Sequence, residues 1–324
     1  MITAGIIGGS GYTGGELIRI LVEHPKVKID FIYSTTRASK KISTAHPDLL
    51  GLTDLQFTDT VNLAVDVVFL CLGHGNSTSF LMEHAFSSNT KIIDLSNDFR
   101  LAKDAVLNKK KFIYGLPELH KEAIKKANYI ANPGCFATAI QLALLPLAKH
   151  NLLNTAIHVN AVTGSTGAGI SPSDTSHFSW RNNNVSWYKP FTHQHLDEIN
   201  ESLHAFKNDV GELYFLPNRG NFTRGIFATA YATCDIRLED ANAMYHNFYK
   251  DALFTQISAT EISLKQVVNT NQCHIHLHKH KDTLLITSAI DNLLKGASGQ
   301  AVQNMNLMLG FEEGMGLNLK AGVY

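Results

Sequence analysis

The chain has 324 residues, of which 44% are hydrophobic and 17% charged, and its 28 basic residues balance its 28 acidic ones. This composition is typical of a globular protein, and the length favours two domains. The zero net charge argues against nucleic acid or an anionic membrane as the main partner. There is no apolar run of membrane-spanning length and no signal peptide at the start, so we expect a cytoplasmic protein.

The first part of the chain alternates short apolar strands with helical stretches. Strands are predicted at TAGIIGG, VKIDFIY, VDVVFLCLGHG, KIIDLS and YIANP, and helices at GGELIRILVEH and FLMEHAFSS. Such alternation predicts a parallel, doubly wound sheet of the Rossmann type, in an α/β fold.

After residue 134 the pattern changes. Helices are predicted at CFATAIQLALLPLAKH, HLDEINESLHAF and LEDANAMYHNFYKDALF, and strands at AIHVNAVTG, GIFATAYATCDI and CHIHLHKHKDTLLITSAID. We expect a second, α+β domain with a mainly antiparallel or mixed sheet. A last helix is predicted in GASGQAVQNMNLMLGF.

A glycine-rich loop follows the first strand and opens the first helix. In GGSGYTGGEL the glycines fit both G-x-G-x-x-G and G-x-x-G-x-x-G, the spacing of a tight turn that lets the backbone approach a pyrophosphate. The helix N-terminus would bind the phosphates, whereas the alternative is a plain glycine-rich turn. The predicted cofactor-binding residues are Gly8, Gly9, Ser10, Gly11, Tyr12, Thr13 and Gly14.

The end of the second strand indicates which nicotinamide cofactor binds. An NAD site usually has an acidic residue there, but Asp30 comes too early in the strand. The residues after the strand are instead Ser34, Thr35 and Arg37, whose hydroxyls and guanidinium suit a 2′-phosphate. We therefore predict NADP; the alternative is that Arg37 belongs to a solvated basic loop.

One cysteine has an unusual setting. Cys135 follows a Pro-Gly break and precedes a predicted helix, where unpaired N–H groups and the helix dipole favour a thiolate. The remaining three, Cys71, Cys234 and Cys273, lie in or beside apolar strands and are expected to be buried free thiols. We predict that Cys135 alone is functional.

Histidines are numerous, so only their patterns are informative. His193 and His195 lie where a polar loop meets a predicted helix, and a thiol nucleophile commonly needs a histidine as acid or base. A second group, the alternating histidines 274–280, shares one face of a predicted strand, which favours a solvated face over a metal site. Neither group completes a set of metal ligands, so we predict no metal.

Small and basic residues in the second part suggest an anion site. TGSTGAGISPS combines glycines with hydroxyl side chains in a loop whose N–H and O–H groups can hold an anion. Arg219 and Arg224 could add positive charge. A flexible turn and two surface arginines would account for the same residues without a ligand.

These segments resemble the N-acetyl-γ-glutamyl-phosphate reductase family, which is related to aspartate-semialdehyde dehydrogenase. The matching segments occur in the family's order between residues 5 and 311 and cover nearly the whole chain. They are GGSGYTGGEL, STTR, DLSNDFRL, YGLPEL, NPGCFATA, GSTGAG, HQHLDEI, PNRG and IDNLLKGASGQAVQNMNLMLGF.

The resemblance implies NADPH-dependent reduction of an acyl phosphate to an aldehyde in arginine biosynthesis, with phosphate released. The Cys135 thiolate would form a thioester that accepts hydride from NADPH, and His195 would protonate the resulting oxyanion. It further implies a Rossmann domain of residues 1–134 and 296–324, a catalytic and oligomerisation domain of residues 135–295, and a homo-oligomer, either a dimer or a tetramer. The implied substrate-binding residues are His193, Ser165, Thr166, Arg219 and Arg100.

The chain departs from the family pattern at a few positions. Asp197 replaces a usual proline, and Thr166 and Ile170 stand where serine and arginine are common. These departures leave open a substrate with another acyl group, such as N-succinyl. The motifs also leave open aspartate-semialdehyde dehydrogenase itself, which shares the thioester chemistry, and a non-catalytic NADP sensor, which would need no thiol.

Overall fold

A computed structural model describes residues 1–206 and 210–323. The described chain forms two compact units, residues 1–133 with 297–318 and residues 134–296 with 319–323. The predicted division places residues 319–323 in the first domain, whereas in the structure they belong to the second unit. There the carbonyl of Lys320 accepts from the Asn269 side chain at 3.2 Å. Residues 207–209 and 324, which the predicted domains include, lie outside the described residues. Every helix in the described part is too short or too polar to cross a membrane.

The strands are numbered in chain order. They are β1 (Ile2–Ile7), β2 (Val27–Tyr33), β3 (Val67–Leu70), β4 (Lys91–Asp94), β5 (Val106–Leu107), β6 (Lys110–Lys111), β7 (Ile113–Tyr114), β8 (Tyr129–Ala131), β9 (Ile157–Thr163), β10 (Ser186–Trp187), β11 (Leu213–Arg219), β12 (Ile226–Thr233), β13 (Thr255–Ser258), β14 (Cys273–His280) and β15 (Thr283–Ile290).

The helices are numbered in the same way. They are α1 (Tyr12–Val22), α2 (Asn76–Glu83), α3 (Pro117–Lys126), α4 (Cys135–Lys149), α5 (Phe178–Arg181), α6 (His195–His204), α7 (Leu238–Phe248) and α8 (Ser298–Met308).

The first unit is built on a parallel sheet in the order β2-β1-β3-β4-β8-β7. Strand β3 is buried along its whole length, as expected when helices cover both faces of a parallel sheet. The C-terminal helix α8 packs against α1 and α3 in this unit. A hydrogen bond also holds α8 in this unit, because the Asn304 side chain donates to the carbonyl of Gly115 at 2.8 Å.

The second unit has a mixed seven-stranded sheet in the order β10-β11-β9-β12-β15-β14-β13. Parallel pairs occur at β9–β11 and β13–β14, and the remaining neighbours are antiparallel. The prediction of a Rossmann-type sheet followed by an α+β domain with a mixed sheet is confirmed.

Helix α4 runs through the core of the second unit, and nearly every residue after Cys135 is buried. Pro146 lies inside this helix and has no N–H to donate to the carbonyl of Leu142, four residues earlier. The Tyr249 hydroxyl donates to that carbonyl instead, at 2.6 Å. A hydroxyl from the end of α7 therefore allows a buried helix to tolerate a proline.

Some elements differ from the sequence prediction. Helix α2 begins earlier than FLMEHAFSS suggests and ends at Glu83, and CHIHLHKHKDTLLITSAID forms a hairpin of β14 and β15 rather than one long strand. The sequence patterns do not predict helix α3 or strand β11. The proline in LPNR favours a loop, yet this segment of β11 pairs with β9 throughout.

Candidate active site

Three glycines of the first loop are required by close packing. Gly8 has φ of 78°, in the left-handed region that glycine tolerates best. A methyl group on Gly9 would come 2.2 Å from Ile32 Cγ2, and one on Gly14 would come 2.6 Å from the Cα of Gly9. These glycines therefore shape the turn and let α1 lie against the sheet, two of the roles expected in a dinucleotide-binding loop.

Gly11 differs from those glycines because its hydrogen points into open space. The nearest atom to a methyl group there would be the carbonyl oxygen of Gly8, at 3.8 Å. Gly11 is also the N-cap of α1, no side chain caps it, and the first turn of the helix carries no acidic residue. The free N-terminus beside Ser10, Tyr12 and Thr13 fits a pyrophosphate group.

The residues predicted to select NADP follow β2 directly. Ser34 is buried and its N–H donates to the carbonyl of Thr58 at 2.9 Å, whereas Thr35 is exposed and Arg37 is half-buried. Asp30 lies within β2 and accepts from the Asn62 side chain at 2.9 Å. Its carboxylate is therefore engaged along the strand rather than at the strand's end.

Cys135 is the first residue of α4, with Gly134 as the N-cap. A methyl group on Gly296 would lie 2.7 Å from Cys135 Cβ, so the chain after β15 passes directly against the cysteine. The two buried glycines, Gly134 and Gly296, leave no room for side chains around the thiol's attachment point. Cys135 as a whole is half-buried.

The two predicted histidines lie together beside this helix start. His193 and His195 are 5% and 6% exposed, and their ring centroids are 4.6 Å apart. Phe136 on α4 and Phe215 on β11 pack edge-on against His193, at 5.4 and 5.6 Å between centroids. Aromatic packing from two elements therefore holds the pair in place.

The two histidines have different neighbours. His193 Nδ1 accepts from the backbone N–H of His195 at 3.2 Å, so that nitrogen is used in starting α6. The His195 ring lies over Gly134, because a methyl group there would come 2.4 Å from His195 Nε2. His195 is thus the histidine that contacts the residue preceding Cys135.

A carboxylate for which the sequence predicts no role completes this cluster. Glu198 is 4% exposed, and its Oε2 accepts from the N–H of Gly134 at 3.0 Å. Its Oε1 lies 4.0 Å from His195 Nε2. The spacing of three residues in HQHLDEI places both side chains on one face of α6 and could have indicated this contact.

A tyrosine and an arginine also lie in this cluster. The Tyr188 ring is 5.8 Å from that of His193, and the guanidinium carbon of Arg219 lies 4.7 Å from the Tyr188 ring centroid. Burial raises the pKa of Tyr188 well above its ordinary value, with the negative charge of Cys135 adding to the rise and Arg219 opposing it. Nothing in the sequence around Tyr188 indicates that it lies near the thiol.

The predicted anion loop forms hydrogen bonds within the protein that its sequence does not predict. The N–H groups of Gly164, Ser165 and Thr166 donate to backbone carbonyls of residues 222–225, and the Thr166 hydroxyl donates to the carbonyl of Thr223 at 2.6 Å. Those three amides are therefore not open to an anion. Antiparallel pairing of β9 with β12 brings the two loops together, which the sequence of either loop alone does not reveal.

The arginines predicted to bind an anion have different surroundings. Arg224 binds the buried Asp291 through Nε at 3.0 Å, so its charge is balanced within the protein. Arg100 belongs to the first unit, is 6% exposed, and donates to the carbonyls of Asn132 and Leu95 at 2.9 Å each. Of the predicted arginines, Arg219 is the one that lies in the histidine cluster.

The remaining cysteines and histidines have ordinary surroundings. Burial raises the pKa of Cys71 to about 12 and raises that of Cys234, and Cys273 is fully buried. The alternating histidines of β14 point to the partly exposed face of that strand. No group of three or more potential metal ligands occurs among the residues that the structure describes.

Comparisons with known proteins identify the families of the two parts of the chain. Residues 3–127 match the family model for the semialdehyde dehydrogenase NAD binding domain, and residues 135–292 match the model for the semialdehyde dehydrogenase dimerisation domain. The first match supports the prediction of a nicotinamide cofactor without distinguishing NADP from NAD.

Solved structures with the same fold include aspartate-semialdehyde dehydrogenases. That of Vibrio cholerae, type II, is 16% identical with a TM-score of 0.73 and covers 96% of this chain and 98% of its own. That of Candida albicans with NADP is 13% identical with a TM-score of 0.70, covering 95% and 98%. At these identities the likeness concerns the fold alone.

Relatives with far higher identity carry one name, N-acetyl-γ-glutamyl-phosphate reductase. The protein from Flavobacterium johnsoniae is 65% identical over 99% of both chains. Those from Christiangramia forsetii and Parabacteroides distasonis are 61% and 55% identical over the full length of both chains. With such identity sustained from end to end, the chain belongs to the N-acetyl-γ-glutamyl-phosphate reductase family of oxidoreductases.

Proposed function

We propose that the protein reduces N-acetyl-γ-glutamyl phosphate to N-acetylglutamate γ-semialdehyde, with NADPH as the reductant and release of phosphate. The observation that carries the proposal is the position of Cys135 at the start of α4 with the His195 ring against the preceding residue. The names of relatives up to 65% identical support the choice of substrate.

Cys135 is the proposed nucleophile. Its thiolate attacks the γ-carbonyl carbon, a C–S bond forms, the bond from that carbon to the phosphate oxygen breaks, and phosphate leaves. The positive end of the α4 dipole favours the thiolate and stabilises the negative charge that develops on the carbonyl oxygen. The N–H of Gly134 is already bound to Glu198, so it is not a donor to that oxygen.

His195 is the proposed acid and base. When bound, the reduced nicotinamide supplies the hydride that takes the thioester to the aldehyde level. His195 holds a proton that it gives to the carbonyl oxygen as negative charge develops there, and it takes the proton back when the C–S bond breaks. Aldehyde and Cys135 thiolate are then released, and the proton taken up in the net reaction ends on phosphate.

Arg219 is the proposed charge partner of the substrate phosphate. Its guanidinium stacks on Tyr188, which contacts His193, so it lies in the same cluster as the proposed acid and base. A planar guanidinium also suits the paired oxygens of phosphate. Ser165, whose hydroxyl lies at the start of a short 3₁₀ turn in the neighbouring loop, is a second proposed contact.

The loop around Gly11 is the proposed site of the pyrophosphate, and Ser34, Thr35 and Arg37 are the proposed ligands of the 2′-phosphate of NADPH. The absence of an acidic residue from this stretch favours the phosphorylated cofactor over NADH. We further propose that the protein acts in arginine biosynthesis in the cytoplasm and assembles as a homo-oligomer. The match to a dimerisation domain supports the last point.

Steady-state assays of the purified protein with NADPH test this function. The substrates to compare are N-acetyl-γ-glutamyl phosphate, its N-succinyl analogue and aspartyl phosphate. We expect the highest kcat/KM with the N-acetyl compound, and a preference for either of the remaining two would contradict the substrate proposal. The N-succinyl comparison matters because Thr166 and Ile170 depart from the family pattern.

Replacing the thiol tests the thioester step. Cys135→Ser should lower kcat by about 10⁴-fold or more while leaving NADPH affinity unchanged, because the weaker nucleophile removes the covalent step. Kinetics and a direct cofactor-binding titration measure the two effects. Cys234→Ser, which changes a buried cysteine in the same unit, is the control and should retain turnover. Substantial turnover by the Cys135 variant would exclude the thioester.

A further inference from the structure

Glu198 contacts the residue before the proposed nucleophile and the proposed acid and base. It lies in the first turn of α6 and is almost fully buried. One carboxylate oxygen accepts from the N–H of Gly134, directly before Cys135, at 3.0 Å. The second oxygen lies 4.0 Å from His195 Nε2. A single carboxylate therefore contacts both the start of the nucleophile's helix and the proposed acid and base.

Burying a carboxylate costs free energy unless hydrogen bonds or opposite charge offset the lost hydration. The N–H of Gly134 and the N-terminus of α6 offset part of this cost. A protonated imidazole at 4.0 Å would offset more. The neighbouring Asp197 lies in the same helical turn but is exposed, so an acidic residue at the helix start does not by itself require burial.

The charged groups around His195 change during the reaction. His193 faces it at 4.6 Å between ring centroids, Cys135 follows the glycine beneath its ring, and Tyr188 and Arg219 lie beyond His193. Before acylation the Cys135 thiolate provides negative charge. Once the thioester forms, that charge is gone, and the carboxylate of Glu198 remains beside His195.

We propose that Glu198 is a positioning residue that orients His195, stabilises its protonated form after the thioester has formed, and ties Gly134 to α6. The inference rests on the proposed function, because it acts through His195 on the hydride-transfer step. Substrate does not need to touch Glu198 for this role. Its removal should therefore affect kcat much more than the KM for the acyl phosphate.

Glu198→Gln separates charge from shape. The amide oxygen can still accept from Gly134, but the negative charge beside His195 is lost. We expect kcat to fall by about 10–100-fold, since an opposite charge within about 4–6 Å typically shifts a pKa by one or more units, with little change in KM. The alkaline limb of the kcat–pH profile should move to lower pH, because the protonated imidazole becomes less stable.

Asp197→Asn is the matched control. It removes a carboxylate from the same helical turn at an exposed position and should leave both kcat and the pH profile unchanged. A Glu198→Gln variant that loses rate with its alkaline limb unmoved would overturn the proposal, since Glu198 would then serve only as a brace. So would an Asp197→Asn variant that shifts the limb equally.

A second variant keeps the proposal testable if Glu198→Gln misfolds, and thermal melting would detect such misfolding. Glu198→Asp keeps the charge but places it farther from His195, so kcat should fall while the alkaline limb moves less than in Glu198→Gln. A shift of the limb as large as that of Glu198→Gln would contradict the proposal. Failure of the proposed function gives a different result, because the unmodified protein would then not reduce the acyl phosphate, or Cys135→Ser would retain turnover, whatever the Glu198 variants do.

Discussion

Two turns in this protein join a parallel strand to the N-terminus of a helix, and they use glycine in opposite ways. After β1, Gly8, Gly9 and Gly14 are packed tightly, but Gly11 at the helix N-cap faces open space. After β8, Gly134 occupies the same N-cap position and is covered by the ring of His195. The first N-cap faces open space, whereas the second is covered by a side chain of the protein.

The contrast shows that a helix N-terminus alone does not define a function. In the first turn no side chain competes for the N-terminal N–H groups, as a phosphate site requires. In the second turn Glu198 takes the N–H of Gly134, and the proposed nucleophile Cys135 follows directly. The same local geometry thus suits the proposed anionic ligand in one unit and the proposed nucleophile in the second.

The largest loss of kcat is expected when the proposed acid and base, which covers the second turn, is replaced. His195→Asn should lower kcat by about 10²–10⁴-fold, because it removes the proposed proton donor. His193→Asn should cost about tenfold, since its Nδ1 supports α6 through one hydrogen bond. Kinetics of both variants measure the difference. A larger loss for the His193 variant would reverse the assignment.

Matched glycine variants test the comparison directly. Gly134→Ala places a methyl group 2.4 Å from His195 Nε2, so the ring must move, and we expect kcat to fall by about 10²-fold with an unchanged KM for NADPH. Gly11→Ala meets no atom closer than 3.8 Å, so folding should be unaffected, while the KM for NADPH rises by about tenfold.

Thermal melting and steady-state kinetics distinguish the two outcomes. If Gly11→Ala left NADPH binding unchanged, the open N-terminus would not be the phosphate site. If Gly134→Ala changed the KM for NADPH rather than kcat, the two turns would not have separate roles.

The sequence predicts the features of these turns that depend on neighbouring residues. It does not predict the contacts between residues that are far apart in the chain. The Gly loop after β1 and the thiol at the start of α4 follow from neighbouring residues, and both can be located by number. The contact of Glu198 with Gly134 links residues 64 positions apart, and Tyr188 reaches the cluster through β10, only two residues long. The anion loop is less open than its residues suggest for the same reason, since its amides bind the loop before β12.

The next prediction concerns the choice between NADPH and NADH, which we attribute to Arg37 after β2. Arg37→Ala should lower kcat/KM for NADPH by about 10–100-fold, the cost of one charge-assisted hydrogen bond, and leave the value for NADH unchanged. Lys28→Ala removes an exposed positive charge near the start of β2, at the opposite end of the strand from Arg37, and is the control. Equal losses with NADPH and NADH would show that Arg37 does not bind the 2′-phosphate.

A third helix start gives the smallest effect and completes the comparison. At the N-terminus of α2, Asp98 accepts from the N–H of Gly75 at 2.7 Å and from the N–H and hydroxyl of Thr78 at 2.9 and 3.0 Å. This N-terminus is satisfied by the protein's own carboxylate, so it needs neither a ligand nor a reactive group. Asp98→Ala should lower the free energy of unfolding by about 0.5–2 kcal/mol, as for other lost helix caps.

The pH dependence of that loss identifies the carboxylate as its cause. Partial burial raises the pKa of Asp98, but hydrogen bonds from Thr78, Gly75 and Ser96 outweigh it and hold the pKa below the ordinary 3.8. The stabilisation is therefore complete above pH 3.8 and is lost as pH falls through the lower folded value. Denaturant unfolding of both proteins should show a stability difference at neutral pH that narrows in acid, and a constant difference would mean that Asp98 acts through packing alone.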